Sequence, residues 1–491
     1  MKRTDIKFLV VILLLSLVAC GKPGDDFSVS SQQADIHPSY QGTTIPYNIA
    51  PLNFAIGEQG LRFMVRFAVA GRDSFDVVSG NGTVSIPIRK WRKLLDTNRG
   101  EQMEVHIFVK KTSGWMRYAP LRFSIAPEPV DAWLAYRLIE PGYTSWNKMG
   151  IYQRCLENFE EKPVMLNNYQ LNNSSCLNCH SFCRNDPQTM LFHIRKYDAG
   201  TIIVKDGKVS KINTKTPDMI SAGVYPRWHP DGRYVAFSVN TTRQGFHTAH
   251  TNKVEVFDLA SDIVVFDTET NTLFTDSLIC SDKSFETFPE WSPDGKHLYF
   301  CSAKARQMPH EYDSLHYDLI RIPFDAATKQ FGTQTDTVVS SAFTEKSVAF
   351  PRVSPDGRYV VFCMSNYGTF PIWHRENDLY IVNLETNELS NLTAINSDQS
   401  DSYHSWSSNG RWMVFSSRRM DGTFTRPYLC YFDTEGNAHP PFLLPQKKPM
   451  HYDFFIKSYN VPEFITGKVK VSPRKFTKTT RSKAIDIQME K

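Results

Sequence analysis

Hydrophobic and polar residues alternate with period two over long stretches of this chain. Leu61, Phe63, Val65, Phe67 and Val69 alternate with Arg62, Met64, Arg66 and Ala68, and Met103, Val105, Ile107 and Val109 alternate with Glu104, His106, Phe108 and Lys110. A strand points successive side chains to opposite faces, so this pattern predicts half-buried β-strands. Turn residues at Gly71-Arg72-Asp73, Ser79-Gly80-Asn81-Gly82 and Thr112-Ser113-Gly114 separate them at short intervals. Residues 39–126 therefore read as a small β-sandwich. Ala126-Pro127-Glu128-Pro129 reads as its exit, and residues 127–189 as a connector rich in aromatics, with an amphipathic helix predicted near Asp131–Ile139.

The later part of the chain repeats itself. The copies are Tyr225-Pro-Arg-Trp-His-Pro-Asp-Gly-Arg-Tyr-Val-Ala-Phe-Ser238, Phe288-Pro-Glu-Trp-Ser-Pro-Asp-Gly-Lys-His-Leu-Tyr-Phe-Cys301, Phe350-Pro-Arg-Val-Ser-Pro-Asp-Gly-Arg-Tyr-Val-Val-Phe-Cys363 and Tyr403-His-Ser-Trp-Ser-Ser-Asn-Gly-Arg-Trp-Met-Val-Phe-Ser416. Asp-Gly or Asn-Gly between apolar runs is a hairpin signal, because these residues accept the positive φ of a tight turn. A second apolar hairpin follows each copy, for example Asp378-Leu-Tyr-Ile-Val382 turning at Thr386-Asn387, and two hairpins make a four-stranded blade. The repeat glycines 232, 295, 357 and 410 are 63, 62 and 53 residues apart. Propeller blades usually need about 40–50 residues, so insertions are expected, and Gln244–Val254 and Arg306–Tyr317, which hold His247, His250, His310 and His316, are the clearest. Gly200–Ile212 reads as the outer hairpin of an earlier blade.

The Pro-x-Trp-Ser-Pro-Asp-Gly pattern resembles the β-propeller repeats of the TolB type over about residues 190–445, within a propeller expected to span 190–465. Together with the N-terminal sandwich read from the alternation, of immunoglobulin or fibronectin kind, that resemblance implies an all-β fold in which a connector leads into a β-propeller. Six blades are favoured, with seven or eight left open, and residues 466–491 are read as a basic C-terminal tail. It implies little about function. Some such propellers cap serine peptidases, yet there is no Gly-x-Ser-x-Gly nucleophile motif here.

Composition narrows the class. The chain has 491 residues, 22% charged and 13% aromatic, which excludes a generically disordered polymer and a small disulfide-stapled fold. Removing Lys2, Arg3, Lys7 and Asp5 with residues 1–19 takes the net charge from +5 to +3, and the basic residues are scattered, so nucleic acid is not the expected partner. Those first nineteen residues have a basic start and an apolar run from Phe8 to Ala19, too short to span a bilayer. They end Leu17-Val18-Ala19-Cys20-Gly21, which resembles a bacterial lipobox. The resemblance implies a signal peptide at 1–19, lipidation of Cys20, a flexible tether at 20–38, and an outer-membrane lipoprotein facing the periplasm or the cell surface.

One motif carries chemistry. Cys176-Leu177-Asn178-Cys179-His180 matches the Cys-x-x-Cys-His attachment signature of c-type cytochromes, and chance predicts only about 0.005 occurrences in such a chain. The resemblance implies covalent haem c, with thioethers from Cys176 and Cys179 and His180 as proximal iron ligand. Met190 and His193 are the candidate distal ligands, and Arg184, Arg195 and Lys196 the candidate propionate partners. Other readings of the same residues are a zinc site from Cys176, Cys179, Cys183 and either His180 or His193, a disulfide such as Cys155 with Cys183, or a redox-active pair. Cys301 and Cys363 share one repeat position and read as buried core. The expected function is electron transfer or redox sensing at the cell envelope, with a redox or envelope protein as partner. A non-enzymatic binding or scaffold propeller with a zinc or disulfide cluster is the alternative, and with no acid, base or nucleophile set in view an enzyme ranks last.

Overall fold

The computed structural model describes residues 22–140, 148–169, 175–250 and 252–490. The predicted signal peptide, Cys20, Tyr143 and Trp146 lie outside the described residues. The chain divides into two compact units, one drawn from residues up to Tyr47, Pro51–Pro127 and Pro445–Asp453, the other from Asn48–Ala50, Glu128–Leu444 and Phe454–Lys491.

The first unit has the expected strands. Arg62–Val69 pairs antiparallel with Ser74–Ser79 and with Gln102–Lys111, and Gln102–Lys111 pairs in turn with Gly114–Ala119 and Leu121–Ala126. The alternation buries Phe63, Val65, Phe67 and Val69, and Met103, Val105, Ile107 and Val109 on the neighbouring strand, while Arg66 stays exposed. A second, three-stranded sheet joins Ile36–His37, Phe54–Ile56 and Thr83–Val84. Two features depart from the expectation. Ser28–Gln33 pairs parallel with Gly114–Ala119, so the tether assigned to 20–38 is in part a strand of this unit. Ile88–Thr97 is a helix whose Trp91, Leu94 and Leu95 form a buried stripe, Trp91 meeting Phe67 edge to face at 5.8 Å.

The second unit is a six-bladed β-propeller. Blade 1 orders its strands Ser458–Ile465, Trp133–Ile139, Gly150–Cys155 and Glu161–Leu166 from the axis outward, so its innermost strand comes from the far end of the chain and closes the ring. Blade 2 runs Cys176–Cys183, Asp186–Arg195, Gly200–Lys205 and Lys208–Asn213; blade 3 runs Val224–Trp228, Tyr234–Phe246, Val254–Asp267 and Thr272–Phe274. Blade 4 is built on Ser284–Trp291, His297–Lys304 and Asp318–Asp325. Blades 5 and 6 begin at Ser347–Val353 and Asp401–Trp406.

Three boundaries move. Residues 127–189 are not a connector: they supply three strands of blade 1 and the start of blade 2, so the propeller begins at Trp133 and not at 190. The helix expected at 131–139 is instead the strand Trp133–Ile139, because pairing on both sides outweighs local amphipathicity. Residues 466–491 are not a free tail. Pro473–Thr480 is a helix capped by the Ser472 side chain, which accepts from Lys475 N, and Ile485–Asp486 and Gln488–Met489 extend blades 2 and 3 as parallel edge strands. Covering those edges removes an unpaired row of backbone groups.

The repeat signature acts as read. Gly232, Gly295, Gly357 and Gly410 sit at φ between 67° and 74°. In three copies a serine (Ser292, Ser354, Ser407) accepts from a backbone N–H five residues on at 3.0 Å, fixing the turn. The indoles of Trp291 and Trp406 each donate at 3.2 Å to a carbonyl of the preceding blade, Arg227 and Arg352.

Phe476, on the C-terminal helix, is fully buried against Phe192 of blade 2, ring to ring at 5.2 Å. Phe476→Ala is expected to cost about 3–5 kcal/mol, read by denaturant unfolding; an unchanged midpoint would mean the strap adds no stability to the blades.

Candidate functional site

Every innermost strand breaks its pleat at one residue of positive φ. Val461 in blade 1, Cys179 in blade 2, Tyr225, Phe288, Phe350 and Tyr403 in blades 3 to 6 have φ between 43° and 54°, and the strand register slips at the same point in each sheet. This is a β-bulge, which re-aims a side chain. A non-glycine residue held in this region costs on the order of 1–3 kcal/mol, so its surroundings must over-determine it. All six residues line one cavity of about 520 Å³, within the size range of small-molecule sites.

Four blades carry a short pin beside the bulge, and in three of them it meets the bulge residue of the next blade. Opposite the residue before the bulge, on the next strand outward, stand Ser238, Cys301, Cys363 and Ser416 in blades 3 to 6. Each reaches the next blade's inner strand. Ser238 Oγ accepts from Phe288 N at 2.9 Å, Cys301 and Cys363 bond the backbone of Phe350 and Tyr403, and Ser416 Oγ donates to Tyr459 O at 3.2 Å. Cys301 and Cys363 are thus buried as expected, in a defined repeat role.

Blades 1 and 2 depart from this pattern at each of these positions. Four blades place an aromatic at the bulge, and those rings pack together, Phe288 on Phe350 at 4.1 Å, Tyr225 on Phe288 at 4.7 Å and Phe350 on Tyr403 at 4.9 Å. Val461 and Cys179 are smaller, so the aromatic ring is broken on their side. The pin position holds not Ser or Cys but Arg137 in blade 1 and His193 in blade 2. Both line the cavity.

The residue after the bulge is Pro226, Pro289, Pro351 or Pro462 in four blades and histidine in two. His404 of blade 6 uses its Nε2 as an ordinary structural donor, to Val361 O at 2.8 Å. His180 of blade 2 does the reverse: its ring bonds the Val461 backbone, and its buried Nε2 has no partner. His193 Nδ1 is 3.1 Å from the Thr201 hydroxyl. Burial pushes both imidazoles down to about 3, aided for His180 by the charges of Arg137 and Arg227 and for His193 by Arg195. Both are neutral at pH 7, the form that offers a lone pair to a metal.

The cavity is apolar and cationic. Arg137, Arg195, Arg227, Arg352 and Arg418 line it against one lining carboxylate, Glu140. Arg227 Nε lies 3.0 Å from Glu290, Arg352 3.4 Å from Glu290, and Arg227 3.9 Å from Glu463. Burial raises both acids to about 7. The long hairpin of blade 3 adds Asn240, Thr242, Gln244 and Val256 to the wall, and its Glu255 accepts from Tyr367 Oη at 2.8 Å and lies 3.0 Å from His374 Nε2. Of the insertion histidines, His247 is 4.0 Å from Glu255 with its ring 5.4 Å from that of His250.

The sequence candidates divide cleanly. Cys176, Cys179, His180, His193 and Arg195 face the one cavity. Met190 does not: alternation along its strand sends Met190, Phe192 and Ile194 into the core between blades, Met190 with no exposed surface, so it is not a distal ligand here. Arg184 does not either, because it sits with Asn185 at positive φ in the exposed turn between two strands, away from the cavity lining. The zinc set is not assembled. The Cys183 thiol faces His229 O at 3.6 Å and packs in the seam with blade 3, and among the described residues no group of three or more His, Cys, Asp or Glu is placed to hold an ion. Cys155 and Cys183 are free thiols, not a disulfide. Arg137 was missed by sequence reading, since its signal appears only when blade 1 is aligned with the other blades through pairing.

No family model and no curated protein matches the chain. Solved structures do, among them prolyl oligopeptidase B from Galerina marginata (9% identity, 83% of this chain and 54% of that one, TM-score 0.34), the β-propeller domain of Cps50 (Swd1) from Myceliophteria thermophila (12%, 55% and 87%, 0.31) and an endo-arabinanase from Bacillus licheniformis (12%, 51% and 93%, 0.31). A puromycin-hydrolysing peptidase of Mycobacterium tuberculosis is similar over 71% of this chain at 10% identity and a TM-score of 0.35. The chain covers about half the length of the two peptidases.

The buried imidazoles give stability a pH dependence of known sign. Held near 3 for His180 and His193 and near 4 for His404, below an exposed histidine, they let the unfolded chain take up protons first, so each withdraws stability as pH falls below about 6.5. In histidine-labelled protein their resonances, assigned by single substitutions, are expected to stay fixed from about pH 8 to about pH 5. A His180 titration centred near 6.5 would contradict its burial.

Proposed function

We propose that the chain is an exported, lipid-anchored protein whose propeller cavity carries one covalent haem c, and that it transfers electrons or reports redox state at the cell envelope. The observation that carries the reading is the convergence of Cys176, Cys179 and His180 on one cavity, with His180 Nε2 buried and unpartnered. A metal-binding histidine commonly holds its other ring nitrogen to a backbone carbonyl, and the Val461 bond supplies that constraint. The residue types fit haem: two thiols for the vinyl groups, an orphan imidazole for the iron, an aromatic and apolar wall for the macrocycle, and arginines for the carboxylates.

Haem would supply one-electron chemistry here. The chain's own residues set its surroundings. Burial keeps His180 neutral and excludes water from its Nε2. His193, fixed by Thr201, would join His180 in holding the iron, and Arg195 would pair with the haem carboxylates. Cys20 is the lipid anchor, which places the protein on the outer membrane, facing the periplasm or the cell surface, where a redox or envelope protein meets it.

Protein matured in a host competent for c-type haem attachment is expected to give a pyridine haemochrome after denaturation, and Cys176→Ser with Cys179→Ser to abolish it. His193→Ala is expected to keep the covalent haem but lose the six-coordinate spectrum. Wild-type protein without covalent haem would overturn the proposal.

A further inference from the structure

The pin position of blade 1 reaches across the blade seam to the Cys-x-x-Cys-His segment. In blades 3 to 6 this position holds Ser or Cys, a short side chain that bonds the next blade's inner strand. Arg137 makes the same inter-blade tie with a much larger group. Its Nη1 donates to Leu177 O at 3.2 Å and to the Asn178 side-chain oxygen, the two residues between the cysteines. Its Nη2 donates to Asn460 Oδ1 at 2.7 Å, beside Val461, whose backbone holds His180. Asn178 Oδ1 in turn accepts from Cys179 N at 3.1 Å. One guanidinium therefore fastens the spacer between the thiols and the strand that orients the imidazole. A serine could tie the blades, as it does elsewhere in the ring. It could not span both strands or bring a charge into the cavity, and the Arg137 Nε is itself buried with no partner.

We infer that Arg137 is a positioning residue for the cofactor site: it holds Cys176, Cys179 and His180 in register and lays a fixed positive charge beside the proximal imidazole. The inference rests on the haem reading. A fixed cation near the iron favours the reduced state, because reduction removes one positive charge from the haem, so Arg137 raises the reduction potential. In a buried site this interaction is screened far less than at the surface.

The repeat supplies the discriminating variant. Arg137→Ser installs the residue the other blades use and keeps the inter-blade tie, Arg137→Lys keeps the charge, and Arg137→Gln keeps length without charge. Wild type and variants are matured in the same host, then measured for covalent haem by denaturing gel and haemochrome, for thermal unfolding, and for midpoint potential by mediated titration. The expected result is a folded Arg137→Ser protein with either reduced covalent haem or a more negative potential, and recovery of the wild-type potential in Arg137→Lys. If Arg137→Ser does not fold, Arg137→Gln against Arg137→Lys makes the same comparison. Equal haem content and equal potential in the uncharged variants and wild type would overturn the role of Arg137 while leaving the haem reading intact. Absence of covalent haem from the wild type would overturn the haem reading, and the inference with it.

Discussion

The propeller depends on one backbone constraint repeated six times: each innermost strand must break its pleat at a residue held at positive φ. The break turns one side chain per blade toward the axis, and in three of the six blades a short polar side chain from the preceding blade holds it there. Ring closure belongs to the same device, because the sixth break, at Val461, lies on a strand that arrives from far along the chain to pair with Trp133–Ile139. Without that pairing blade 1 would lack its axial strand, and His180 would lack the backbone group that orients its ring.

Four blades use these positions to fill the axis with aromatic rings. Blades 1 and 2 put small residues where the rings would be and large polar residues where the pins would be. The exchange leaves an open volume on one side and faces it with Cys176, Cys179, His180, His193 and Arg137. The exchange adds Arg137 to a lining in which five arginines face one carboxylate, Glu140, while the buried Glu290 pairs with Arg227 and Arg352 and Glu463 lies near Arg227.

Much of the fold was legible in sequence wherever turn chemistry is local. Asp-Gly and Asn-Gly marked blades 3 to 6, and the outer hairpin of blade 2 was read from Gly200–Ile212. Blades 1 and 2 escaped for physical reasons. The turn of blade 2 achieves positive φ with Arg184 and Asn185, a pair that carries no strong turn signal. Blade 1 is assembled from two distant segments, so no window of sequence contains it, and its strand Trp133–Ile139 is amphipathic enough to resemble a helix. The motif Cys176–His180 was found by its spacing, and His193 by its strand face. Arg137 could be recognised only by its pairing with Asn460, which equates it with Ser238, Cys301, Cys363 and Ser416. Sequence leaves Met190 and His193 as alternatives on opposite faces of one strand, because alternation does not say which face meets a site until its neighbours are known.

The account turns on what occupies the gap that blades 1 and 2 leave. Peptide mass analysis of the matured protein tests this most directly. The account predicts that the peptide containing Cys176 and Cys179 carries a haem adduct on both sulfurs; recovery of that peptide with two unmodified thiols, from a host shown to mature another c-type cytochrome in the same culture, would contradict it.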